Sequence, residues 1–140
     1  ICFELTESAL APDKRNNEVL FNQLRSAGCK IALDDFGTGY SSLSYLRRIP
    51  VDYIKIDKSF INDICTNHED NILVSTIIAM SKALGKEVVA EGVETKEQLQ
   101  LLIELGCDYI QGYYFSKPMA AEKLISYLTD FSYSCSSQSQ

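Results

Sequence analysis

Five short apolar runs recur along the chain, at residues 1–5, 30–34, Tyr53–Ile56, Glu87–Ala90 and Tyr109–Ile110, and each stops beside a polar side chain. The stretches between them are long enough for a crossover helix. Strands alternating with helices predict an α/β fold built on a parallel sheet.

Side chains along a strand alternate between two faces. Ile1, Phe3 and Leu5 oppose Cys2 and Glu4, while Ile31 and Leu33 oppose Lys30, Ala32 and Asp34. In the later runs Tyr53 and Lys55 oppose Ile54 and Ile56, Val89 and Glu91 oppose Val88 and Ala90, and Tyr109 and Gln111 oppose Ile110. With the mostly aliphatic face packed on helices, Glu4, Asp34, Lys55, Glu91 and Gln111 all point the other way, at the carboxyl ends of their strands. Parallel barrels and open α/β sheets hold their active sites there.

Helical periodicity fills the gaps. Residues 15–27 predict an amphipathic helix with Val19, Leu20 and Leu24 on one face and Gly28 as its C-cap. Residues 70–84 predict a more apolar one, carrying Ile72, Leu73, Ile77, Ile78 and Met80 and closed by Gly85. Thr95, with Gln98 three residues on, has the pattern of a capping box opening a helix over 96–105. Pro118 introduces a last helix at about residues 120–128, and the Ser- and Gln-rich residues 129–140 read as a disordered tail without chemistry. Residues 1–128 thus present five βα units where a closed barrel has eight. The expectation is a partial TIM-like (β/α) barrel, its last five units, belonging to a longer chain; a smaller open sheet is the alternative.

Composition narrows the function classes. At 140 residues and 46% hydrophobic content the chain suits one globular unit, and no apolar run approaches the roughly 20 residues of a membrane span. A formal charge of -6 argues against a surface for polymeric nucleic acid, which needs clustered Lys and Arg. A small anion can still approach acids whose charge is offset by bound cations. Cys2, Cys29, Cys65, Cys107 and Cys135 show neither ligand spacing nor close pairing, which fits a reduced, cytoplasmic setting. His68, the single histidine, opens a helix and gives little support to a Ser-His-Asp triad.

Asp34-Asp35-Phe36-Gly37-Thr38-Gly39 sets two adjacent carboxylates at a strand end before a glycine-hinged loop. Carboxylates converging from several strands suit Mg²⁺ or Mn²⁺, and one bridging two ions about 3.5–4 Å apart activates water for phosphoryl displacement. Blander readings stay open: the aspartates as turn caps, Glu4 and Lys55 as a structural ion pair, and Tyr113, Tyr114 and Phe115 as core rather than a stacking face. Lys55 also leaves open a barrel aldolase or isomerase working through a Schiff base.

Taken in order, Glu4-Leu5-Thr6-Glu7-Ser8, the run from Asp34 to Leu43, Tyr53-Ile54-Lys55-Ile56-Asp57, Val89-Ala90-Glu91-Gly92-Val93-Glu94-Thr95 and Gln111-Gly112-Tyr113-Tyr114-Phe115-Ser116-Lys117-Pro118 closely resemble the EAL family of bacterial cyclic-di-GMP phosphodiesterases. The resemblance spans residues 1 to about 128. It implies a TIM-like barrel that hydrolyses cyclic-di-GMP to linear pGpG with two Mg²⁺ or Mn²⁺ ions. By position, Glu4 and Asp34 resemble ligands of the first ion, and Asp34, Asp35 and Glu91 those of the second. Lys55 resembles the residue that orients the attacking water, and Glu91 is also a candidate general base. Glu94 and Gln111 resemble supporting residues, and Glu7 the holder of the loop that includes Phe36, Gly37, Thr38 and Gly39 and couples catalysis to dimerisation.

The family's Glu-Ala-Leu signature and an Asn ligand of the first ion have no counterpart among these residues; the resemblance assigns both to strands ahead of Ile1. A partial barrel leaves unpaired strand edges, so a homodimer, or pairing with an upstream domain of the same chain, is expected. A non-catalytic cyclic-di-GMP-binding or protein-interaction module is the alternative function.

Overall fold

The computed structural model describes residues 1–6, 14–37 and 46–136. It contains strands β1 (Cys2–Thr6), β2 (Lys30–Phe36), β3 (Tyr53–Ile56), β4 (Glu87–Ala90) and β5 (Tyr109–Ile110). The helices are α1 (Lys14–Ser26), α2 (Lys58–Asn62), α3 (His68–Ala83), α4 (Lys96–Glu104) and α5 (Ala121–Ser136). All five strands are parallel and lie in chain order, β1-β2-β3-β4-β5. Parallel neighbours need a crossover connection, and among the described residues helices supply it between β1 and β2, between β3 and β4 and between β4 and β5.

The core sits between the sheet and its helices. Ile31, Leu33, Ile54, Ile56, Val88 and Ala90, the aliphatic face of the sequence pattern, are fully buried. They pack with Val74, Ile77 and Ile78 of α3 and Leu102 of α4. At about 1.5–3 kcal/mol for each large side chain removed from water, this face fixes which side of the sheet meets helices. The opposite face is free for polar chemistry.

Local signals set the helix ends. Asn67 caps α3 by accepting the Glu69 amide at 2.9 Å, and His68 is its first residue. Thr95 and Gln98 form the capping box of α4, and Gly28, Gly85 and Gly106 follow their helices with positive φ. At the amino ends of the strands, polar groups are consumed by backbone. Asp52 receives the Ile31 amide at 3.0 Å and the Lys30 ammonium at 2.8 Å, Asp108 receives the Val88 amide at 2.9 Å, and Lys86 donates to the Ile49 and Val51 carbonyls. Burial would raise the Asp52 pKa, but the bonds from Lys30 and Ile31 outweigh it and hold the carboxyl below its ordinary value.

Several expectations need correction. Among the described side chains of α1 the buried ones are Phe21 and, partly, Leu24, whereas Val19 and Leu20 are exposed, because the helix meets the sheet along the Phe21-Leu24 stripe. Strand β2 runs on through Asp35 to Phe36, and Phe36 is a core residue rather than part of the following loop. Tyr113, Tyr114 and Phe115 are exposed and do not belong to the core. The last helix continues to Ser136, well into the segment read as tail.

Candidate active site

The first four strands each deliver a charged side chain to the carboxyl end of the sheet, on the face away from the core. Lys55 is where they meet. Its Nζ lies 2.7 Å from Glu91 Oε1, 2.8 Å from Glu4 Oε2 and 3.2 Å from Asp34 Oδ1. Register accounts for the geometry: Glu4 is level with Ala32 and Thr6 with Asp34, while Lys55 is level with Val89, two residues short of Glu91. A lysine stem reaches from one pleat to acids on the next.

The Lys55 side chain is 7% exposed. Burial alone would lower its pKa, but hydrogen bonds to Glu4, Glu91 and Asp34, aided by the Glu91 charge, outweigh it and hold the ammonium above the ordinary lysine value. A nitrogen held protonated offers no lone pair to a carbonyl carbon, which weighs against a Schiff-base enzyme at Lys55.

Three carboxylates facing one ammonium leave an uncompensated negative excess. The Glu4 side chain is 53% exposed, and those of Asp34 and Glu91 are each 22% exposed, so the oxygens remain reachable. Hard oxygen donors with surplus negative charge fit a divalent cation of the Mg²⁺ or Mn²⁺ kind. In this arrangement the acids are gathered by the ammonium, and among the described residues no three acid, imidazole or thiol side chains enclose a metal position by themselves.

Asp35 adjoins the cluster in a strained conformation. Its φ is 55°, its amide donates to Asp34 Oδ1 at 3.1 Å, and the β2–β3 register shifts between Leu33 and Phe36. Such a left-handed residue costs roughly 1–2 kcal/mol unless it is glycine, and strain of this kind gathers at functional sites. Gly37 follows with φ 102° and starts the turn. Glu7, Thr38 and Gly39 lie outside the described residues.

Gln111 closes the row beyond β5. It lines a cleft of about 330 Å³ shared with Glu4 and Lys55, and with Cys2, Tyr53 and Tyr109 toward the strands' amino ends. A second cleft of about 470 Å³ also borders Gln111 and is walled by Tyr113, Phe115, Lys117 and Tyr127. Glu94 is exposed and is not among the acids paired with Lys55; its amide donates to Gln98 Oε1 at 2.8 Å. The pattern of acids on one face was visible in the sequence, but the buried Gln98 was read only as a helix cap. Its further contacts depend on the short helix α2, which no apolar periodicity announced.

The sequence of the EAL domain family matches residues 1–118. The cyclic di-GMP phosphodiesterase NbdA of Pseudomonas aeruginosa is 47% identical over 130 residues, covering 91% of this chain and 17% of that protein. The chain thus spans less than a fifth of the length of this curated relative. Among solved structures, the c-di-GMP complex of the P. aeruginosa MucR phosphodiesterase superposes with a TM-score of 0.83 at 45% identity, over 88% of this chain and 50% of that one. The manganese/cyclic-di-GMP complex of Klebsiella pneumoniae BlrP1 gives a TM-score of 0.77 at 38% identity, over 84% of this chain and 30% of that one. A five-stranded parallel sheet with helices, as in part of a TIM-like barrel, acids at the carboxyl ends of its strands, and a match over most of its length establish that this chain belongs to the EAL domain family.

Proposed function

We propose that the domain to which this chain contributes hydrolyses cyclic-di-GMP to linear pGpG in a reaction dependent on two Mg²⁺ or Mn²⁺ ions. The observation that carries the proposal is the convergence of Glu4, Asp34 and Glu91 on the Lys55 ammonium at the strands' carboxyl ends. The phosphodiesterase NbdA and the cyclic-di-GMP complexes of MucR and BlrP1 support the ligand, and the manganese of the BlrP1 complex supports a divalent ion.

Glu4 and Asp34 would hold one ion, and Asp34, Asp35 and Glu91 the second. What bound divalent ions supply is charge neutralisation at the phosphate and a lowered pKa for water. Lys55, held protonated, orients the attacking water and offsets charge developing on the phosphoryl oxygens. Glu91 would accept the proton as the water oxygen bonds to phosphorus; the bond from phosphorus to the 3′ oxygen breaks, and that oxygen leaves as a hydroxyl with a proton from solvent water, to which Glu91 then returns its own. Gln111 and Glu94 support the site, and the cytoplasm suits the free thiols of Cys2, Cys29, Cys65 and Cys107. No helix among the described residues is long and apolar enough to cross a membrane.

Incubation of the full domain with cyclic-di-GMP and Mn²⁺ should yield the linear dinucleotide on chromatography, with Glu91→Ala slower by about 10²–10⁴-fold. A product peak of equal size in the variant would sink the assignment of Glu91. β1 and β5 each pair on one side only within the described sheet, and Ile1 and Phe3 are exposed beside the β1 edge. This supports association with a second copy or with an upstream domain. Sedimentation should show self-association at micromolar concentration, and a compact monomer there would count against the homodimer.

A further inference from the structure

We infer that Gln98 is a positioning residue, tying the loop that carries Glu91 and Glu94 to helix α2 and so to the strand that carries Lys55. The inference deepens the phosphodiesterase reading and rests on it for its functional meaning. Gln98 lies on α4 with 6% exposure. All four hydrogen-bonding positions of its side-chain amide are used. Oε1 accepts the Glu94 amide at 2.8 Å and the Thr95 amide at 3.0 Å, while Nε2 donates to the Ile61 carbonyl at 3.0 Å and the Asn62 carbonyl at 3.1 Å. The donors and acceptors on either side also determine which way round the amide sits.

A capping box requires only the Oε1 half of this arrangement. The Nε2 half joins two βα connections. Helix α2 begins just after β3, capped by Asp57, and its last residues present the Ile61 and Asn62 carbonyls to Gln98. The loop after β4 is held at its start by the Glu91 amide on the Ile56 carbonyl at 3.2 Å and in its middle by the Val93 amide on the Gln111 carbonyl at 3.1 Å. Gln98 holds its far end. Glu91 thus approaches Lys55 from a segment anchored to β3, β5 and α2, and the α2 anchor passes through one amide side chain.

Gln98→Glu separates the two halves. A carboxylate still caps α4, but its second oxygen faces the Ile61 and Asn62 carbonyls and repels them. Native-state amide exchange of the metal-free chain should then quicken by about tenfold or more at Glu91 and Val93, with Ile54 and Val88 in the core unchanged. Gln98→Met, which fills the space without either amide function, should give the same local pattern. Thr95→Ala, which removes the side-chain acceptor of the Gln98 amide, should quicken exchange in the first turn of α4 and leave Glu91 alone. The inference is overturned if Glu91 and Val93 speed up only in step with the core, or if Thr95→Ala moves them as much as Gln98→Glu. Exchange is read without nucleotide, so its outcome is independent of whether cyclic-di-GMP is hydrolysed, and the phosphodiesterase reading stands or falls on turnover by the full domain.

Discussion

Lys55→Met should lower cyclic-di-GMP turnover by about 10²–10³-fold, the range seen when one preorganised electrostatic donor is removed. Methionine keeps much of the stem's volume but removes the charge from among three carboxylates that lie 2.7–3.2 Å from it. Their mutual repulsion is then no longer offset. Removing one member of a fully buried ion pair costs about 3–5 kcal/mol, but Glu4 is half exposed and water screens it, so about 1–3 kcal/mol of folding stability is expected here.

Urea unfolding of the two proteins gives that difference. Because the folded-state pKa of Lys55 is raised, its stabilising contribution is fully present below the unfolded value of about 10.4 and is lost as pH rises through the folded value. The stability gap should therefore stay level from neutrality to about pH 10 and close only beyond. A variant as active and as stable as the parent would show that the cluster is not organised around this ammonium.

Gly112→Ala should be the most damaging glycine substitution among the described residues, at about 3 kcal/mol, the upper end of ordinary overpacking costs. A Cβ at Gly112 would collide with the backbone N, C and O of Val93. Backbone cannot swing aside as a side chain can, and this stretch is pinned: Val93 donates to the Gln111 carbonyl, Tyr114 donates to the Val93 carbonyl at 2.9 Å, and Phe115 donates to the Gly112 carbonyl at 3.1 Å. Relief of the clash must push the Gln111 segment away from the loop that begins at Glu91.

Gly85→Ala provides the contrast. Gly85 has φ 67° and open space around it, so alanine there meets only the left-handed backbone cost of about 1–2 kcal/mol. Thermal or urea unfolding of both variants separates the two mechanisms. Gly112 is not in the left-handed region, so a Gly112→Ala loss close to zero would show that the close approach to Val93 is relieved without cost.

The alternating runs made the strand faces readable. Ile31, Leu33, Ile54, Ile56, Val88 and Ala90 were assigned to the helix side by period two alone, and all are buried. The same parity placed Glu4, Asp34, Lys55 and Glu91 on the opposite side, since a polar residue at a strand end has few other places to go. Amphipathic periodicity was a weaker guide on α1, where Val19 and Leu20 match the apolar stripe yet face solvent while Phe21 takes the core position. A helix stripe is about a third of the circumference wide, so one rotation of the helix exchanges its members. Composition did not announce that α5 runs on to Ser136, because its serines are compatible with helix as well as with coil.

Local chemistry written along the chain thus determined the α/β alternation, the caps at Asn67 and Thr95, and the set of acids available at the carboxyl ends of the strands. Tertiary structure decided which of these groups touch. Parallel register set the Lys55 ammonium among Glu4, Asp34 and Glu91, left Glu94 outside that cluster, and drew Asp35 into a left-handed turn. It also brought the Ile61 and Asn62 carbonyls to Gln98 and the Val93 peptide against Gly112. The division has one physical cause: periodicity and capping act over a few neighbouring residues and can be read from them. An ion pair or a close backbone contact joins residues far apart in the chain and exists only once strand pairing and core packing have set their separation to within an ångström.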